Sequence, residues 1–175
     1  MPIWDGHAHV GSSMDPAFLV KLMEQYGIEL AIVSILSTAP DEFCNPSLML
    51  ELARKHPRVK IVMIHMSLGD KDSDNEAAIE AAKQASNLYL DTSWVPSQKV
   101  IEAVREVGQD RVLFGTDAPL GSYFKTGDYE HYDHYFLFDA IPRQPPPFIQ
   151  TLQKELSPPE YEHVMYLNAR RLYKL

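Results

Sequence analysis

Cysteine is almost missing from this sequence. Cys44 is the single one, so no internal disulfide can form and a Cys-rich zinc site is excluded. Basic charge is also in short supply: 16 Lys and Arg face 24 Asp and Glu, for a formal net charge of −8. That balance argues against nucleic acid or an anionic membrane as a partner, since both are bound through a basic face. The short basic cluster in "NARRLYKL" (168–175) sits near the end of an expected helix, where cations offset the helix dipole. No apolar run approaches the roughly 18 residues that a membrane helix needs. No basic segment leading into an apolar stretch opens the chain, so no signal peptide is expected and the cytoplasm is the default location. A Gly-rich phosphate loop and a serine nucleophile elbow are both lacking, so neither chemistry is indicated.

What is present is ordinary globular composition, 45% hydrophobic and 23% charged residues over 175 positions. One domain with a substantial core is expected, spanning 1–175. Short apolar runs alternate with amphipathic segments. Strands are expected at Ile3 to His9, "IELAIVSIL" (28–36), "VKIVMIH" (59–65), "NLYLDTS" (87–93) and "RVLFGTD" (111–117). Between them, Asp15-Pro16 opens a helix that Gly27 ends, Asn45-Pro46 opens "SLMLELARKH", and Asp74 caps the alanine-rich "NEAAIEAAKQA". "SQKVIEAVREV" (97–107) is a further helix, and the last one opens with "SPPE": Ser157 as cap, Pro158 first, Glu160 closing a capping box. This is a βα repeat with parallel strands, hence an α/β fold. Residues 118–150 have no clean period and end in a proline run. A loop of that length reads as a lid or other functional segment, followed by a C-terminal helix over 151–175.

Residues i and i+2 of a strand share a face, so His7 and His9 are expected to project together from the C-terminal end of the first strand. In parallel α/β architectures that end is where ligand sites form. His65 and Asp117 also end buried runs. Three imidazoles and a carboxylate at one end of one sheet suit Zn²⁺, Mn²⁺ or Fe²⁺. A lone H-x-H is a weak signal, and each residue alone reads as a satisfied polar group. The strength lies in equivalent places in successive units. Asp91, with Thr92 and Trp94 beside it, is a candidate to line the pocket, although bonding of Asp91 to nearby backbone amides is at least as good a reading. "HYDH" (131–134), Cys44, His56 and His163 lack companions that would make a site.

The motifs "DGHAHVG", "VKIVMIHMSLGD", "NLYLDTSW", "DRVLFGTDAPLG" and "NARRLYKL" resemble the amidohydrolase superfamily, most of all its amidohydrolase-related branch of metal-dependent hydrolases and decarboxylases. The five occur in the family's order and frame nearly the whole chain. The resemblance implies a TIM-barrel-derived fold in which H-x-H ends strand one, a histidine ends strand six and an aspartate ends strand eight. It makes His7, His9 and Asp117 metal ligands and Asp117 the proton shuttle. His65 becomes the strand-six histidine, which meets the substrate or the metal-bound water. Tyr123, Phe124 and Tyr129 of the long loop could shield the pocket, with Tyr123 and Trp94 against a small-molecule substrate.

A (β/α)₈ barrel typically takes about 250 residues. Without the long loop this chain has room for roughly five units at about 31 residues each. By motif, strands three to five are missing after "SIL" (34–36), and the strand-five histidine ligand has no counterpart. An open five-stranded sheet has two exposed edges, which a homodimer or the 118–150 loop would cover. Two functional expectations follow. The first is a metal-dependent hydrolase acting on a C–O or C–N bond, or a decarboxylase, with zinc as the cofactor and Mn or Fe as alternatives. The second is a non-catalytic scaffold or interaction module that keeps a vestigial metal site.

Overall fold

The computed structural model describes residues 3–10, 24, 27–35, 46–55, 57–66, 72–116 and 147–173. Every strand pairing among them is parallel. β1 (Ile3–Val10) pairs with β2 (Ile28–Ile35), while β4 (Leu88–Asp91) lies between β3 (Ile61–Met63) and β5 (Val112–Leu113). Parallel neighbours require a crossover, and the helices supply it: α1 (Pro46–Lys55) precedes β3, α2 (Asp72–Gln84) joins β3 to β4, and α3 (Ser97–Val107) joins β4 to β5. Towards the C-terminus come α4 (Pro147–Glu155) and α5 (Pro158–Glu162). A π turn (His163–Leu167) then leads from α5 into α6 (Asn168–Tyr173). The α/β class expected from the alternation is therefore observed. The helix expected after Asp15 lies outside the described residues apart from Glu24, which is helical and exposed.

The helices follow from local chemistry. α3 occupies the expected residues and buries Val100, Ile101, Val104 and Val107, one stripe at helical spacing. Gly108 ends it with φ 100°, its amide donating to the Val104 carbonyl, a conformation that costs glycine little. α5 has the expected capping box: Glu160 Oε2 accepts from the Ser157 amide at 2.8 Å and the Ser157 hydroxyl at 2.6 Å. α2 corrects one expectation. It starts at Asp72, so Asp74 lies inside the first turn rather than capping it. First-turn amides have no intrahelical acceptor and the helix dipole favours acidic residues there, so the acidic start DSD extends the helix instead of bounding it. α4 likewise begins at Pro147, within the stretch that has no period in the sequence; proline is favoured at a first helical position.

The core lies between the β3–β4–β5 sheet and its helices. All four residues of β4 are buried, as a central strand covered on both faces must be. Leu88, Leu90, Phe114, Phe148, Ile101 and Leu152 are each at most 2% exposed. The alanines of α2, Ala78, Ala81 and Ala82 among them, are buried too, and their small side chains let the helix approach closely.

Polar side chains close the entry end of this sheet. Arg111, just before β5, donates to the carbonyls of Ala82 (2.6 Å), Ala85 (3.0 Å) and Val107 (2.9 Å), which are left over where α2 and α3 stop. Asn168 is 1% exposed and donates to the carbonyls of Gln109 at 2.5 Å and Val112 at 2.8 Å. Those bonds fix α6 beneath β5. The Phe114 amide reaches the Val164 carbonyl of the π turn at 3.0 Å, and β1 runs beside the same turn and α6.

Candidate active site at the exit end of the sheet

The strands around β4 stop earlier than their apolar runs do. β3 ends at Met63 and β5 at Leu113, although apolar residues carry on past both. The cause lies in Asp91 and Thr92, whose side chains take over the hydrogen bonds that a longer ladder would make. On one side, Asp91 Oδ1 accepts from the His65 amide at 3.1 Å. On the other, Thr92 Oγ1 accepts from the Gly115 amide at 3.1 Å and donates to the Gly115 carbonyl at 3.4 Å. The Thr92 amide itself bonds the Leu113 carbonyl at 3.0 Å. The expected strands 59–65, 87–93 and 111–117 are thus shortened to 61–63, 88–91 and 112–113.

His65 consequently stands two residues past its strand, in a 3₁₀ turn (Ile64–Met66) rather than on the strand. Its backbone is left-handed, φ 58° and ψ 19°, and Met66 follows with φ 45°. Trp94, past the end of β4, has φ 60°. These are the three non-glycine residues with positive φ among the described residues, and all lie at the exit ends of two adjacent strands. Such conformations each cost of order 1–3 kcal/mol and cluster at functional sites. At His65 and Met66 the conformation is held by hydrogen bonds. Asn75 of α2 donates from Nδ2 to the Met66 carbonyl at 3.2 Å and the His65 carbonyl at 3.5 Å. Asp91 Oδ1 also accepts from the Ser93 amide at 3.1 Å and from the Ser93 hydroxyl.

The His65 ring joins this network through Nδ1, which lies 2.8 Å from Ser93 Oγ and 3.1 Å from the Ser93 carbonyl oxygen. Asp91, Thr92 and Ser93 are each at most 1% exposed, whereas His65 and Trp94 are half-buried and Ile64 beside them is exposed. A buried polar base thus underlies an accessible rim. The Asp91 bonds to backbone amides match one of its two expected roles. Ser93 and Asn75 had no signal of their own in the sequence, because their partners are distant along the chain.

For the metal, the donor set is the test. His7 and His9 fall in the last four residues of β1, next to an irregularity in which Asp5 pairs with Ala31 but Ala8 with Val33. Three β1 steps therefore oppose two in β2, a bulge of the kind that re-aims side chains near sites. Two imidazoles with a carboxylate from Asp117 are donors that suit Zn²⁺, Mn²⁺ or Fe²⁺. The side chains of His7 and His9 lie outside the described residues, as do Asp117, Tyr123, Cys44, His56 and the "HYDH" segment. Among the described residues no group of three or more His, Cys, Asp or Glu is placed to hold a metal ion. His163 belongs to the entry end, where Nδ1 is 3.0 Å from Asp110 Oδ1.

The sequence profile of the amidohydrolases matches residues 6–175. Two solved structures share the fold. One is Amidohydrolase 2 from Bifidobacterium longum subsp. infantis, at 13% identity and TM-score 0.65, the alignment covering 100% of this chain and 99% of that one. The other is an amidohydrolase from Burkholderia multivorans crystallised with bound HEPES, at 11% identity and TM-score 0.67, with 100% of each chain covered. At these identities the likeness bears on the fold, a TIM-barrel-like α/β architecture. A search of curated proteins finds no match.

Proposed function

This chain belongs to the amidohydrolase family, and we propose that it is a metal-dependent hydrolase of a C–O or C–N bond, with decarboxylation as the variant chemistry. The observation that carries the reading is the left-handed, hydrogen-bonded turn that holds His65 at the exit end of a parallel sheet, the end at which barrel enzymes build their sites. His7, His9 and Asp117 would hold the divalent ion, zinc with manganese or iron as alternatives. When bound, such an ion supplies Lewis-acid polarisation and brings the pKa of a coordinated water towards neutrality. The chain's own residues do the rest. The Asp117 carboxylate takes the proton from the attacking water. His65 orients or polarises the small-molecule substrate. Trp94, Tyr123 and the surrounding rim bind it and exclude bulk water, with Asp91 beneath.

The reading extends to a single domain over 1–175, in a barrel shortened to about five βα units; of the 118–150 segment, only the part before α4 is proposed as a lid, since α4 starts at Pro147 and buries Phe148 and Ile149. A cytoplasmic homodimer would cover the exposed edges of such a sheet; a stable monomer at micromolar concentration, by mass measurement, overturns that part. Among the described residues no helix is long and apolar enough to cross a membrane.

Elemental analysis of protein purified without a histidine tag tests the central part. Stoichiometric Zn, Mn or Fe, lost in His7→Ala and Asp117→Asn, is the expected result. A folded wild-type protein that takes up no metal overturns the enzyme reading and leaves a scaffold.

A further inference from the structure

We propose that Asp91 and Ser93 are positioning residues that lock the His65 ring in its Nδ1–H tautomer, so that Nε2 carries the lone pair of the neutral ring. The inference deepens the proposed function, on which its catalytic meaning rests.

Hydrogen-bond direction carries it. The Ser93 carbonyl oxygen, 3.1 Å from His65 Nδ1, can only accept, so Nδ1 must donate. The Ser93 hydroxyl, 2.8 Å from the same nitrogen, has a carboxylate oxygen of Asp91 as its other partner. That oxygen already accepts from the amides of His65 and Ser93, so it is an acceptor here as well. The hydroxyl proton therefore points to Asp91, and the Ser93 Oγ lone pairs face the ring. The Ser93 carbonyl and hydroxyl oxygens both accept from Nδ1, and the direction runs one way from ring to hydroxyl to carboxylate. Asp91 Oδ1 also holds the His65 amide at 3.1 Å and the Ser93 amide at 3.1 Å, so one buried oxygen sets both the left-handed backbone of His65 and the loop that carries its ring acceptor. Ring orientation through the second nitrogen is the usual way in which a histidine's reactive nitrogen is selected.

The test is the ring ¹⁵N spectrum of the labelled full-length chain above the histidine pKa, with His65→Gln used to identify the His65 resonances. The expected wild-type ring is protonated at Nδ1 and bare at Nε2. In Asp91→Asn or Ser93→Ala the population should move towards Nε2–H, the form free imidazole side chains prefer. In an assay with a hydrolysable substrate, kcat should fall about 10–100-fold, the range for positioning partners of this kind, with KM changed far less. A wild-type ring protonated at Nε2, or exchanging between the two forms, overturns the proposal. So does an unchanged tautomer in both variants while they remain folded. If neither variant folds, the wild-type spectrum decides alone. A locked ring in a protein that binds no metal and hydrolyses nothing leaves this inference standing and overturns the hydrolase reading. An unlocked ring in an active enzyme does the reverse.

Discussion

The two ends of one sheet use the same kind of interaction for opposite purposes. At the entry end, Arg111 and Asn168 donate to carbonyls that the ends of α2, α3 and the following turn leave over. Apart from Gly108, no positive φ is present there among the described residues. At the exit end, Asp91 and Asn75 also bond backbone, but the backbone they bond is left-handed at His65 and Met66. One set of hydrogen bonds satisfies an unstrained chain, and the other holds a strained one in place. In barrel-like folds the first end serves stability and the second chemistry. Substitutions at the two ends should therefore separate the two properties.

The largest separation is expected for His65→Asn. Asparagine tolerates the left-handed region better than most residues, so thermal stability should stay within about 1 kcal/mol of wild type. Hydrolytic turnover should fall by about 10²–10⁴-fold, the usual worth of an acid–base or polarising group. Paired melts and kcat measurements check this, and a large loss of stability with activity retained would break the comparison. Asn168→Ala is the mirror experiment. It strips the donor from two carbonyls at the entry of β5, so denaturant unfolding should show a loss of about 2 kcal/mol with the kinetic constants of the remaining folded enzyme unchanged.

The smallest effect is expected at the α5 cap, where Ser157 is exposed. Ser157→Ala should cost about 1 kcal/mol. The Ser157 hydroxyl and amide hold the Glu160 carboxyl below its ordinary value. A lowered folded pKa contributes stability that is present above the unfolded value and is lost as pH falls through the folded one. Thermal melts from about pH 6 to about pH 3 should thus show a shallower acid decline in Ser157→Ala than in wild type, since glutamate titrates in that range. Parallel curves would contradict the assignment.

Much of the frame was legible where local chemistry decides it. The amphipathic stripe of 97–107 and the Ser157–Glu160 box need only neighbouring residues, and both are present as expected. Strand ends were not legible, because they depend on Asp91 and Thr92 reaching residues past the neighbouring strands, 26 and 23 positions away in sequence. An apolar run cannot reveal that a side chain will replace its ladder. Asp74 misled for a related reason: an acidic residue suits both a cap and the turn after it. His65 was recognisable as the polar end of a buried run. Its left-handed backbone was not, nor were Ser93 and Asn75, which act on it from 28 and 10 residues away.

All of these functional predictions depend on a metal-dependent hydrolytic site at the exit end of this sheet. Anomalous scattering from a crystal of tag-free protein, recorded at the absorption edge of the metal found by elemental analysis, tests it most directly. One peak ligated by His7, His9 and Asp117, on the same side of the sheet as His65, is the expected result. No peak in metal-supplemented crystals, or a peak held by other residues, would contradict it.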